Sequence, residues 1–282
     1  MRLTIFGGTG LLGKAITRVW QGDELVALSS TDADIRSPEA VARAIETSRP
    51  EWIVLAAAYT DVDGCESHQQ LAFDVNTQGS IHVAKVAKAT ETRLLFLSSD
   101  YVFNGEKSTP YETLDARDPR SVYGKSKADA EQHLLDILPR CCIVRTSWVF
   151  GVDGKCFPNT ILNLAETRRE LDVVDDQRGC PTYAVDLARA IRELCHRDAT
   201  GIVHVTNVGD CSWFEFARFI LAEAGSNTVV NPTTTGKFPR PAPRPKYSVL
   251  SPTSLRSYRI EMPTWRDAAQ RYLAERKLSL QL

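Results

Sequence analysis

The stretch IFGGTGLLGKA, Ile5 to Ala15, decides the fold. It places Gly7, Gly8, Gly10 and Gly13 between an apolar run, LTIF at 3–6, and the start of a helix-like pattern at Leu11. Both G-x-x-G-x-x-G and G-x-G-x-x-G are satisfied. Glycines in that context allow a tight turn, let backbone amides approach a pyrophosphate, and let the helix pack on the strand. The helix N-terminus adds partial positive charge. The turn predicts a dinucleotide site that uses Gly7, Gly10 and Gly13.

Working outward, short apolar runs alternate with amphipathic ones: ELVAL (24–28), WIVLAA (52–57), RLLFLS (93–98) and CCIVRTS (141–147) lie between helical patterns from about Leu11, from Pro38, over 66–91 and over 122–138. Continuous apolar strands between helices are what a parallel sheet covered on both faces requires. Residues 1–150 are therefore expected to form an α/β, doubly wound, Rossmann-type domain. Beyond 150 the pattern loosens. Helices at 157–169, 184–196 and 212–224, strands at 171–174 and 202–207, and the proline-rich loop KFPRPAPRPK (237–246) suggest a smaller substrate-binding lobe over 151–282, with 184–206 returning to the main sheet.

Composition narrows the function. In 282 residues, 34 basic and 35 acidic side chains nearly cancel, and no run of like charge would track nucleic acid or an anionic membrane. No window approaches 18 continuous apolar residues, so a soluble, cytoplasmic protein is expected. Seven cysteines without a C-x-x-C pair and five scattered histidines suggest neither disulfides nor a metal site.

The helix at 122–138 begins SVYGKSK and puts Tyr123 and Lys127 on one face. An ammonium beside a phenol would lower its pKa and ready it for proton exchange with a carbonyl oxygen. Chance alone supplies such spacings. Upstream, however, a strand ends in Ser98-Ser99-Asp100, and strand ends in a doubly wound sheet open on the nucleotide crevice. At the end of the second strand, where many NAD sites carry an acid, stand Ser29-Ser30-Thr31. Without a carboxylate to repel a 2'-phosphate, NADPH is favoured, with NADH left open.

GGTGLLG, Y-x-x-x-K and the upstream serine resemble the extended short-chain dehydrogenase/reductases. AAAYTDVDGCE (56–66), SSDYVFNG (98–105), RTSWVFG (145–151), DDQRGCPT (175–182) and the RP-x-x-S-x-L of Arg244 to Leu250 resemble, more narrowly, the dTDP-4-dehydrorhamnose reductase family. The resemblance implies NAD(P)H-dependent reduction of dTDP-4-dehydro-L-rhamnose to dTDP-L-rhamnose. It implies that Ser99 bonds the 4-keto oxygen, Tyr123 protonates it, and Lys127 holds the nicotinamide ribose. It also puts Gly10, Leu11, Leu12, Ser30, Asp34, Ile35, Ala58, Tyr59, Thr60 and Leu97 at the cofactor, and Asp100 and Trp148 at the sugar nucleotide. Ala15 stands where some relatives carry a glutamate of a magnesium-linked dimer, so no metal is expected, and a homodimer stays open. Two alternatives remain: another nucleotide-sugar reductase or an epimerase, which would show no net NADPH consumption, and a non-catalytic regulator like the regulatory subunit of methionine adenosyltransferase.

Overall fold

A computed structural model describes residues 1–279. Along the chain, β1 (Arg2–Phe6) leads through the glycine turn into α1 (Leu11–Val19), followed by β2 (Glu24–Leu28), α2 (Pro38–Ser48), β3 (Trp52–Leu55), α3 (Val62–Ser67) and α4 (Gln69–Phe73). A π-helical segment, Asp74–Gly79, runs into α5 (Ser80–Ala89), then β4 (Arg93–Ser99), a short 3-10 turn at Asp100–Val102, α6 (Val122–Ile137) and β5 (Cys142–Thr146). The second half contains β6 (Val149–Phe150), α7 (Phe157–Ala165), β7 (Glu170–Val174), β8 (Arg178–Gly179), β9 (Thr182–Tyr183) and α8 (Ala184–His196). It ends with β10 (Gly201–His204), β11 (Cys211–Ser212), α9 (Trp213–Glu223), β12 (Val229–Thr233), α10 (Thr253–Arg256) and α11 (Trp265–Ser279).

Six strands form one parallel sheet in the order β2-β1-β3-β4-β5-β10. β3, β4 and β5 are buried along almost their whole length, as strands covered on both faces must be. One face packs Leu3, Ile5, Val54, Leu95 and Val144 against α1 and α8. The other packs Phe6, Ile53, Phe96 and Ile143 against α2, α5 and α6. The chain turns to opposite sides of β1, so the switch point between β1 and β3 opens a crevice at the strand C-termini, where ligands of such sheets bind.

Local sequence explains the helix starts. Ser37 accepts the Ala40 N–H ahead of Pro38, which needs no donor at that position. Ser121 caps α6 through the Gly124 N–H, and Glu66 of α3 takes the Val122 N–H at 2.8 Å. A third core, centred on Phe150, Phe216, Trp265 and Tyr272, holds α7, α9 and α11 together above the crevice.

Several boundaries differ from the sequence reading. The strands expected at 52–57 and 202–207 end at Leu55 and His204, and the helix expected at 157–169 ends at Ala165. β12 contains Asn231-Pro232, which argues against a strand by propensity. It pairs in parallel with β7 outside the main sheet, where a missing donor is tolerated. The π-helical turn carries no pattern that propensity alone distinguishes, whereas α11, with Trp265, Ala268, Ala269 and Tyr272 on its buried face, has the ordinary helical period.

Candidate active site

A cavity of about 1100 Å³ lies along the C-terminal edge of the sheet, from the glycine turn to the third core. A drug-sized ligand typically needs about 300–1,000 Å³, so the space suits two ligands end to end.

At one end stands the glycine turn. Gly7 sits at φ +93, and a Cβ there would lie 2.6 Å from the Ala57 nitrogen. At Gly13 a Cβ would fall 2.2 Å from the Gly7 carbonyl, so α1 could not pack so closely on β1. At Gly10 the Cβ would meet only the Gly7 oxygen, at 3.4 Å, and would stand in the cradle itself. The first amides of α1 have no side-chain cap. They face the cavity as anion donors, which is what a dinucleotide pyrophosphate requires.

Gly7, Gly10, Leu11, Leu12, Gly13, Ser30, Asp34, Ile35, Ala58, Thr60 and Leu97 all line this cavity. Tyr59 does not. Its side chain packs with Cys65, Val122 and Phe73, and its backbone is held by buried Asn76, whose Oδ1 accepts the Tyr59 N–H at 2.8 Å. Asn76 also donates to Ser126 Oγ, which donates to the Tyr123 carbonyl, so the π-helical segment braces the first turn of α6. No arginine directly follows Ser29-Ser30-Thr31 in the chain. The structure brings Arg36 to the same wall, clamped to Asp34 with its Nη2 at 2.6 Å from Oδ2.

Midway along the cavity, Ser99, Asp100, Tyr123 and Lys127 come together from the end of β4 and the first turns of α6. Close approach of α6 depends on Gly124, whose Cβ would lie 2.2 Å from the Tyr101 carbonyl. Ser99 Oγ donates to Asp100 Oδ1 at 2.9 Å, and Tyr101 meets Tyr123 edge to face at 5.6 Å. The second Asp100 oxygen is buried without a hydrogen-bond partner among the described residues. Burial pushes the Asp100 carboxyl up to about 6, although the neighbouring Ser248 and Ser99 hydroxyls pull it back.

The expected lowering of the Tyr123 pKa is not what the geometry gives. Burial, with the Asp100 charge added, pushes the phenol above its ordinary value, and Ser99 only partly offsets this. Lys127 is itself pushed down to about 7 by burial, with Glu131 pulling the other way. Desolvation outweighs a cation that is only partly formed at neutral pH. The phenol therefore holds its proton, the form an acid needs.

At the far end, Trp148 lines the cavity from a left-handed backbone conformation, φ +47, and its ring stacks on Trp213 at 3.4 Å and 7°. Gly179 makes room for the ring, since a Cβ there would fall 2.5 Å from it. Trp213, Phe157 and Lys155 also line this end and escaped sequence reading. An aromatic stripe in α9 reads as ordinary core until the third core is assembled.

Residues 1–278 of the 282 match the family model described as RmlD substrate binding domain. The chain belongs to that family. It is 40% identical to dTDP-4-dehydrorhamnose reductase of Mycobacterium tuberculosis over 89% of this chain and 84% of the relative. It is 38% identical to a probable dTDP-4,6-dihydroxy-2-methyloxan-3-one 4-ketoreductase of Streptomyces antibioticus, over 95% and 93%. The structure of dTDP-4-dehydrorhamnose reductase from Bacillus anthracis in complex with NADP superposes with a TM-score of 0.95 at 35% identity, covering 97% of this chain and 99% of that one.

Proposed function

We propose that this chain reduces the C4 keto group of dTDP-4-dehydro-L-rhamnose to give dTDP-L-rhamnose, using NADPH or NADH. The observation that carries the reading is the meeting of Ser99, Tyr123 and Lys127 in the same cavity as the glycine turn. The names of the similar reductases support the sugar.

The glycine turn and the α1 amides would hold the cofactor's pyrophosphate, Asp34 and Ile35 its adenosine end, and Lys127 its nicotinamide ribose. When bound, the nicotinamide supplies the hydride. Everything else falls to the chain. Tyr123, kept protonated by burial, gives its proton to the carbonyl oxygen as negative charge develops there. The Ser99 hydroxyl, whose single proton rests on Asp100 in the free site, would turn it to the same oxygen and donate there. The unpartnered Asp100 oxygen suits a sugar hydroxyl, and the Trp148–Trp213 pair offers a flat apolar wall to the sugar nucleotide. Residues 151–282 act in this reading as the substrate lobe above a nucleotide-binding half at 1–150. The unpaired cysteines, mostly buried, support a reducing, cytoplasmic setting.

Purified protein should consume NADPH or NADH in the presence of dTDP-4-dehydrorhamnose and form the reduced sugar nucleotide, while Tyr123→Phe should not. The 4-ketoreductase relative favours a second reading in which another dTDP-linked 4-keto sugar is the better substrate. Comparing kcat/KM for the two sugars separates them, and absence of net cofactor consumption would point to an epimerase.

A further inference from the structure

Tyr123, Lys127 and Glu131 form one row on α6, four residues apart. A lysine and a glutamate at that spacing ordinarily attract each other, more so when both are buried. Here they stay apart. Glu131 is completely buried, and both of its oxygens are occupied. Oε1 accepts from Ser98 Oγ at 2.5 Å and Arg145 Nε at 2.9 Å, and Oε2 accepts from Arg145 Nη2 at 2.6 Å with Arg117 at 3.6 Å. Lys127, 2% exposed, rests its ammonium over the Phe96 ring at 4.0 Å. Among the described residues the ion pairs of Glu131 are with Arg145 and Arg117.

We propose that Arg145 and Ser98 are positioning residues that hold Glu131 away from Lys127, leaving the ammonium free to bind the ligand in the cavity. Glu131 then acts through its charge and not through a bond. Tyr123 on its own helix and Ser99 and Asp100 at the end of β4 line the same cavity as Lys127, while Arg145 on β5 and Arg117 from the preceding loop are spent on Glu131. From α3, Glu66 is spent on the Val122 amide. The π-helical segment presents neutral Asn76 and Thr77, and His82 of α5 turns to the Ile35 carbonyl. Glu131 is thus the anion favouring the charged form of Lys127, whose titration lies near neutrality. Ser98 precedes Ser99 on β4, so the same clamp steadies the strand end that carries the serine.

This inference rests on the proposed role of Lys127 at the cofactor, and it is tested by NADPH binding without sugar. Fluorescence titrations from pH 6 to 9 would compare the wild-type chain with Glu131→Gln, Arg145→Met and the double variant. The wild-type Kd should weaken above about pH 7, as Lys127 loses its charge. Glu131→Gln should move that break down by about one unit, since an opposite charge has been removed. In Arg145→Met, Lys127 should be captured by Glu131, weakening Kd by about tenfold or more and moving the break upward, because a hydrogen bond to a charged group is worth about 1.5–3 kcal/mol. The double variant should recover affinity to within about threefold. If Arg145→Met does not fold, Ser98→Ala should shift Kd and the break in the same direction by a smaller factor. Variants that lose melting temperature while Kd and the break stay put would overturn the clamp and leave the dinucleotide site standing. A wild-type chain that binds no NADPH at any pH would overturn both.

Discussion

Gly124→Ala tests whether α6 is placed by contact and not by propensity. In a helix interior alanine is favoured over glycine by about 1 kcal/mol, so local preference predicts a more stable protein. The structure predicts the reverse. A Cβ at 124 would lie 2.2 Å from the Tyr101 carbonyl oxygen and 3.0 Å from Pro119 Cβ, roughly 1 Å short of ordinary contact. Either α6 must retreat, taking Tyr123 with it, or the Asp100–Val102 turn must, taking Ser99 and Asp100. Neither movement leaves the serine and the tyrosine facing one carbonyl. A misplacement of about 1 Å can reduce a reaction by about 10²-fold, whereas overpacking costs about 1–3 kcal/mol, partly offset here by propensity. Stopped-time assays of sugar reduction should show kcat down by about two orders of magnitude, with the melting temperature within a few degrees. A kcat within threefold of wild type would refute the argument.

Other outcomes follow from the same geometry. Tyr123→Phe should lower kcat by about 10²–10⁴-fold with little change in cofactor Kd, measured by absorbance and fluorescence respectively. Asp100 has a folded-state pKa raised to about 6 from 3.8, so the folded chain binds more protons than the unfolded one between those values and loses stability as pH rises through them, by up to about 3 kcal/mol. Asp100→Asn should therefore raise the unfolding free energy by about 1–2 kcal/mol at pH 8 and leave it unchanged at pH 4, read from urea midpoints, while weakening sugar binding. Gly179→Ala should push the Trp148 ring aside and raise the sugar-nucleotide KM by about tenfold, with NADPH Kd unmoved; a KM unchanged by the methyl group would remove Trp148 from the site.

What could be read from residues alone was local. The glycine turn, the strands of the first half and the Tyr123–Lys127 spacing each follow from neighbours a few positions apart. The crevice at the strand ends could be placed because doubly wound sheets obey a general rule. What escaped depends on distant chain meeting: Trp213 reaches Trp148 only because Gly179, from a third segment, leaves room for the ring. Arg36 reaches the wall at Ser30 through a turn held by Asp32 and Asp34, whose geometry no spacing rule describes. The direction of the Tyr123 shift was read backwards, because sequence shows a neighbouring charge but not the water that burial removes.

The place of β10 in the main sheet has a consequence during synthesis. The strand beside β5 is made of residues 201–204, about 55 residues later in the chain. At a ribosomal pace of about 5–20 residues per second, the sheet waits roughly 3–11 s for its last strand. Through that interval β5 presents an open edge to any passing segment. The catalytic apparatus is encoded by residue 150, but it emerges unfinished, and a chaperone that shields the β5 edge would be protecting the active site.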